Sequence, residues 1–291
     1  MKRLVIIITC SIIVLESFSQ TMDLNPVEVL SSLQEKRIRE TGRNIVILDK
    51  EALQKIPGNS LDEILRFIPG MELQMRGPAG AQGDFVLRGG TFQQVLVLID
   101  GIRMNEPLTG HFNSYIPVLK EEIQRIEVLK GAAASIFGPD AVGGVIHIII
   151  RKSLEEKKQQ QIHADIKKGS FGLSHNTMSG ELSNQKSSIF FGAQINKADG
   201  QALRGTNGFV NTQLFNMSFS KKFSHQWDLH FRGALDKRSF NAQNFYTNFL
   251  SDTAKENVNS TWQQASLTKS TLNNDFYFLV DGLGKIGRAH V

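Results

Sequence analysis

Between residues 160 and 281 the chain alternates apolar and polar side chains with a period of two, over segment after segment. Ile189, Phe191, Ala193 and Ile195 point one way; Phe190, Gly192, Gln194 and Asn196 point the other. Phe215, Met217 and Phe219 oppose Asn216, Ser218 and Ser220. Trp227, Leu229, Phe231, Gly233 and Leu235 oppose Asp228, His230, Arg232 and Ala234, and Phe276, Phe278 and Val280 oppose Asp275, Tyr277 and Leu279. Only extended strands put alternate residues on opposite faces. About seven strands are expected, near 161–167, 174–182, 187–197, 210–221, 225–235, 258–270 and 273–281. Segments of about ten residues with polar, Asn/Ser/Gly-rich turns fit the first strands of an antiparallel transmembrane β-barrel with a polar inside. A β-sandwich with one wet face alternates too.

Seven such strands cannot close around a hundred-residue globule, and an open edge in lipid leaves backbone groups unpaired. The chain is therefore expected to be C-terminally truncated. Lys285 to Val291 breaks the alternation and corresponds to AAG-ATC-GGA-AGA-GCA-CAC-GTC, which resembles a sequencing adapter, so 285–291 reads as a non-native tail.

The N-terminus reads as an export address. Lys2 and Arg3 precede the apolar or small-residue run Leu4 to Leu15, and Ser17-Phe18-Ser19 offers small residues at a cleavage site. The run is shorter than the roughly 20 residues that span a bilayer. Residues 1–20 are therefore expected to be a cleaved signal peptide. The only cysteine, Cys10, lies inside it, so the mature chain has no disulfide scaffold, cysteine zinc site or thiol nucleophile. Net charge is +5, and removing Lys2, Arg3 and Glu16 lowers it by only one. So mild and scattered a charge does not argue for nucleic-acid binding.

Residues 44–153 have a different texture, and 154–160 (LEEKKQQ) is a polar linker before the strands of 161–284. Asn44 to Leu48 and the continuous apolar run Val95 to Ile99 read as strands, the second buried on both faces. Ser60 and Glu63 have capping-box spacing, opening a helix that stops at Pro69-Gly70. Asp100-Gly101 is a turn, Pro117 to Ile123 a short helix, and Arg125 to Leu129 and Val145 to Ile150 are strands. The expectation is a compact α+β domain with a small mixed sheet and short helices.

Four motifs in this part carry a resemblance: Leu61 to Gly70 (LDEILRFIPG), Phe85 to Gly90 (FVLRGG), Val95 to Arg103 (VLVLIDGIR) and Ile126 to Ile149 (IEVLKGAAASIFGPDAVGGVIHII). In order and spacing they resemble the plug domain of TonB-dependent outer-membrane receptors, nearest the branch that imports vitamin B12 and siderophores. Ala132, Lys130 and His147 stand where that family often has proline, arginine and asparagine.

The resemblance implies a mechanism. A plug blocks a barrel in the outer membrane of a Gram-negative bacterium. A small metal-chelate ligand, cobalamin or a ferric siderophore, binds outside. A periplasmic TonB box then pairs as a strand with TonB, which works with ExbB and ExbD. The outer membrane holds no ATP, so import needs mechanical coupling to the inner-membrane proton gradient. No cofactor is implied beyond the iron or cobalt of the cargo, and no metal site.

Residues 21–43 form the implied periplasmic segment, with Asn25, Pro26, Val27, Glu28, Val29, Leu30 and Ser31 as the candidate box. Two apical loops, 72–84 and 105–114, supply the candidate ligand residues Gln74, Arg76, Gln82, Asn105, Thr109, His111 and Asn113. Arg88 and Arg125 are expected in salt bridges within the domain or to the barrel wall. Gly89, Asp100, Gly101, Gly131, Gly138, Gly143 and Gly144 are expected to serve turns and close backbone approach.

An enzyme is not expected. Val95 to Asp100 resembles the metal-binding strand of a nucleotide hydrolase, yet Gly131 to Gly138 has no Lys-Ser/Thr to hold a phosphate, and no G-x-S-x-G occurs. About 24 residues separate Gln20 from the first plug strand, too few for an extra sandwich or signalling domain. The alternative is a non-transporting ligand-binding or adhesion protein on the same scaffold.

Overall fold

The computed structural model describes residues 28–29, 36–37, 44–58, 60–75, 80–105, 113–150, 159–203, 206–223, 227–242, 249, 253–270 and 275–290. The chain divides into two units, 1–41 and 42–291. In the first, β1 (Glu28–Val29) pairs antiparallel with β2 (Lys36–Arg37). Of the candidate TonB box only Glu28 and Val29 fall among the described residues.

The second unit opens with β3 (Asn44–Asp49), α1 (Lys50–Lys55), α2 (Leu61–Leu65), β4 (Met71–Met75) and β5 (Gly83–Leu87). It continues through β6 (Val95–Ile99), β7 (Ile102–Arg103), β8 (Ile123–Lys130), α3 (Ala134–Phe137) and β9 (Gly144–Ile150). Five strands form a mixed sheet in the order β3-β8-β9-β6-β7, with only β6 and β9 parallel; β4 and β5 pair separately. All five residues of β6 are buried, because the sheet packs apolar side chains on both faces. One face joins Leu53, Ile64, Leu65 and Phe85 to Val97, Ile126 and Ile148. The other joins Leu96, Leu98, Leu129 and Val145 to Ala133 and Ala141.

Three local expectations are corrected. Ser60 stands at the N-cap of α2 without a side-chain bond to the helix backbone; it is Asp49 that caps a helix, accepting from Ala52 N at 2.8 Å to start α1. Residues 117–123 are not a helix but an extended lead into one 3-10 turn, Lys120–Glu122, after which β8 begins. Residues 72–84 are not one loop, since 72–75 belong to β4 and 83–84 to β5, which pair antiparallel.

The turns hold as their residue types require. Asp100 and Gly101 both adopt left-handed φ, 47° and 85°. Asp100 Oδ1 accepts from Ile150 N, and His147 Nε2 accepts from Gly101 N, so this turn is held from two neighbouring positions. At Gly144 a Cβ would lie 2.4 Å from Leu129 O, so only glycine allows β8 and β9 to approach there.

The wall follows: β10 (Gln159–Lys168), β11 (Ser174–Ser183), β12 (Ser187–Ala198), β15 (Val210–Lys222), β16 (Trp227–Asn241), β17 (Lys255–Ser270) and β18 (Asp275–His290). A small pair, β13 (Ala202–Leu203) and β14 (Thr206–Asn207), sits between β12 and β15. The seven long strands form one antiparallel sheet in chain order, open at β10 and β18. Even-numbered residues of β12, β15 and β16 face the globule, and odd-numbered ones face away. The outward face bears exposed Ile162, Met178, Phe191, Phe215, Met217 and Leu235. Lys285 to His290, read as breaking the pattern, runs within β18 and pairs with Lys255 to Ser260. Main-chain pairing at a sheet edge tolerates any side chain. No helix among the described residues is long and apolar enough to cross a membrane.

Candidate functional site

The globule meets the inner face of the wall along a polar seam. Its centre is the 3-10 turn Lys120–Glu122. Glu122 reaches back to accept from Leu119 N at 2.8 Å, which fixes its rotamer. Arg232 of β16, wholly buried, then donates to Glu122 through Nε (3.2 Å) and Nη2 (2.8 Å). Arg232 Nη2 also donates to Pro117 O, and Asn216 Nδ2 donates to Pro117 O and to Glu122. A buried pair like this adds little net stability, but removing one partner strands a charge at about 3–5 kcal/mol. Its effect is to fix one seating of globule on wall.

Apolar contacts flank the pair. Leu119 sits on Gly192, where a Cβ would come within 2.2 Å of its Cδ1, and packs with Phe190 and Leu214. Trp262 and Ala234 of the wall join the main core of the globule.

A second polar contact lies at the Asp100 turn. His230 Nε2 stands 3.9 Å from Asp100 Oδ2, while its Nδ1 shares a hydrogen bond with Ser220 Oγ at 2.9 Å. Behind the turn, His147 Nδ1 is 3.9 Å from Glu127, which accepts from Arg125 Nε at 2.7 Å. Ser220, His230 and Asp100 resemble a hydrolase set only by name, since all three sit inside the seam.

Between α1, α2 and strands β10 to β16 the seam widens into a cavity of about 370 Å³. Lys120, His163, Asp165, Lys167, His175 and Arg238 line it. His163 Nε2 reaches Glu121 at 3.4 Å, and Arg238 is held by Asp236 at 2.8 Å while covering the Tyr115 ring at 4.3 Å. Burial raises the Asp62 carboxyl above its ordinary value, against the pull of Ser60 and the Arg238 charge. Burial likewise raises the Tyr115 hydroxyl well above its usual range and lowers the Lys120 ammonium, which Glu121 opposes. Both signs of charge thus line the cavity. Among the described residues no three His, Cys, Asp or Glu side chains are grouped to hold a metal.

The predicted ligand residues separate. Arg76, Thr109 and His111 lie outside the described residues. Gln74 is exposed in β4 and donates to Glu72. Gln82 is wholly buried, and its amide has no partner among the described residues. Asn105 binds both Val97 N and Val95 O, and Asn113 takes Phe85 N and Phe92 O. Those two amides brace the globule's own backbone, so neither is turned to a ligand here.

Of the structural set, Gly89, Gly131 and Gly138 take left-handed φ (72°, 107° and 94°), and Gly143 packs against Gln94 O. Arg125 makes its expected ion pair, with Glu127 of the same strand. Arg88 does not: it is exposed at a left-handed φ of 55° and has no ion-pair partner among the described residues. Sequence reasoning missed the pairing of Arg232 with Glu122. The available signal was an arginine on the inward face of an alternating strand.

A mixed-sheet globule seated against the polar inner face of an antiparallel wall defines a plugged β-barrel architecture. Residues 37–145 match the family model of the TonB-dependent receptor plug domain. The vitamin B12 transporter BtuB of Vibrio vulnificus (strain YJ016) is 28% identical over 201 residues, 65% of this chain and 31% of the relative. BtuB of Vibrio vulnificus (strain CMCP6) is 32% identical over 127 residues, 44% of this chain and 21% of the relative. The chain thus spans about a third or less of these relatives' length. Among solved structures, the alcaligin outer-membrane receptor FauA from Bordetella pertussis aligns with a TM-score of 0.66 and 14% identity, over 89% of this chain and 41% of that one. The siderophore receptor PirA from Pseudomonas aeruginosa aligns with a TM-score of 0.60 and 19% identity, over 84% and 41%. Residues 37–145 are thus similar to a TonB-dependent receptor plug domain, and the chain shares the fold of these solved receptors.

Proposed function

We propose that the chain forms the plug and part of the wall of an outer-membrane importer for a scarce metal-chelate solute, cobalamin or a ferric siderophore. The observation that carries this reading is the plug held on the inner face of the wall by the buried Glu122–Arg232 pair, in a chain similar to vitamin B12 transporters. A plug seated by one specific polar lock blocks passage at rest and has to be remodelled by work from outside the membrane.

Asn25 to Ser31 is the segment through which TonB, with ExbB and ExbD, delivers that work. Val27, Val29 and Leu30 favour an extended strand, and strand addition transmits tension through main-chain bonds. The outward apolar face of the wall contacts outer-membrane lipid, and residues 1–20 direct export. Gln74 and Gln82, with Arg76, Thr109 and His111, remain the plug's proposed ligand contacts.

The test is uptake of labelled cyanocobalamin and of ferric siderophores by cells expressing the gene, with and without a proton gradient. Val29→Pro is expected to abolish gradient-dependent uptake while leaving surface binding intact. Uptake indifferent to both the gradient and Val29→Pro contradicts TonB coupling and leaves a passive binding protein.

A further inference from the structure

At the Asp100 turn the plug and the wall face each other with an ionisable pair that stops short of contact. Asp100 Oδ2 and His230 Nε2 are 3.9 Å apart, too far for a hydrogen bond, and both side chains are 4% exposed. The two groups are held from behind. Asp100 Oδ1 accepts from Ile150 N at 3.0 Å, and its left-handed φ of 47° is one that Asp tolerates. His230 Nδ1 lies 2.9 Å from Ser220 Oγ. A hydroxyl both donates and accepts, so Ser220 serves neutral imidazole as a donor and imidazolium as an acceptor without moving.

Other charges face this place. On the strand of His230 itself, Asp228 and Arg232 share the inward face, and Arg232 is committed to Glu122. Lys222 of β15 is the register partner of Asp228, while the partners of His230 are the uncharged Ser220 and Ser266. Behind the turn stands His147, whose Nε2 accepts from Gly101 N and whose Nδ1 is 3.9 Å from Glu127.

We propose that Asp100 and His230 form an acid-closed latch between plug and wall. With the imidazole neutral the pair makes no hydrogen bond. A proton on His230 puts N–H on both ring nitrogens; Nδ1 then donates to Ser220 Oγ and Nε2 to the Asp100 carboxylate. A movement of about 1 Å closes the gap. Because Asp100 also holds Ile150 N, closure ties the last residue of β9 to the wall. Imidazole is the side chain that ordinarily titrates between about pH 5 and 8, where carboxylates are ordinarily ionised. His147 acts in the opposite sense, since a proton on its Nε2 removes the acceptor of Gly101 N. His230 is the fourth residue of β16, at the end of the wall with the short connections 184–186 and 223–226. In transmembrane barrels short turns face the periplasm. That the latch reads periplasmic acidity rests on the outer-membrane reading given above; the latch itself rests on the seam alone.

The test is a double-mutant cycle on the full chain in detergent, Asp100→Asn against His230→Gln, read as resistance of the plug to proteolysis in a denaturant series at about pH 5.5 and about pH 8. Asparagine tolerates the left-handed φ and still accepts from Ile150 N; glutamine still bonds Ser220. A coupling of roughly tenfold or more in the folding equilibrium is expected at the lower pH and none at the higher. Titration of Asp62 and His147 is common to all four chains and cancels. His147→Asn, with no second imidazole at the turn, gives an independent reading: protection of its Ile150 amide against hydrogen exchange, corrected for the intrinsic rate, is expected to rise several-fold on acidification. Coupling of equal size at the two pH values, or absent at both, overturns the proposal, as does Ile150 protection that stays level or falls. Failure of gradient-dependent uptake would count against the transport reading and leave this result standing.

Discussion

Arg232 and Glu122 meet in a fully buried, two-point ion pair across 110 residues of sequence, and they are the point at which plug and wall become one structure. The carboxylate is pre-set by Leu119 N, and the guanidinium is steadied by Pro117 O. Both side chains are shut off from solvent, so neither charge can exchange its partner for bulk water.

Arg232→Met or Glu122→Gln alone is therefore expected to loosen the plug by about 3–5 kcal/mol, and the double change by clearly less than the sum. Resistance of the plug to proteolysis in a denaturant series measures this. Additive losses would mean that the two groups do not depend on each other.

Gly192 is expected to tolerate no side chain. Gly192→Val should cost about 1–3 kcal/mol by pushing Leu119 off the wall. Adding Leu119→Ala should recover part of that loss, because the new methyl groups enter the space vacated. Thermal unfolding of the single and paired variants checks the sign of this coupling.

Much of this architecture was legible from residues. The wall strands followed from alternation alone, because one face meets the plug and the other does not. Predicted 174–182, 187–197 and 210–221 became 174–183, 187–198 and 210–222. Short plug elements were harder. α1 is a single turn and a half capped by Asp49, too short to show a periodicity, and Gly77, Pro78, Gly80 and Gly83 hid the hairpin of β4 and β5. At 117–123 the apolar residues do not share one helical face: Val118 and Ile123 enter the main core, while Leu119 packs on Phe190 and Leu214 of the wall. Asn105 and Asn113 looked like loop polarity and proved to be backbone braces, a distinction that depends on strands far away in sequence. The Arg232 pair is the extreme case, since no local pattern specifies a partner 110 residues away.

Asp62 gives a pH dependence. Burial raises its folded carboxyl above the ordinary value of 3.8. A proton is then bound more tightly in the folded state than in the unfolded one, so stability falls as pH rises from that ordinary value through the folded one. Asp62→Asn is expected to be more stable than the parent at pH 7, and the difference to close below about pH 4. Melting curves at the two pH values test it; a variant less stable at pH 7 would show that Arg238 holds the ionised form after all.

His147 supplies an acceptor to Gly101 N at the turn that also carries Asp100. His147→Leu is expected to cost about 1–2 kcal/mol, and His147→Asn less, since its amide oxygen can still accept. Hydrogen exchange at the Gly101 amide reports directly: fast in the leucine variant and slow in the asparagine one.

The seating of the plug on the wall is tested most directly by cross-linking Leu119→Cys to Gly192→Cys in a Cys10→Ser background. Thr177→Cys with Gln194→Cys, partners in the β11–β12 register, serves as the control. Mild oxidation is predicted to join Cys pairs at both places within one chain, seen as faster migration on a non-reducing gel. A control pair that oxidises while the plug–wall pair stays reduced would contradict the seam on which this account of the protein rests.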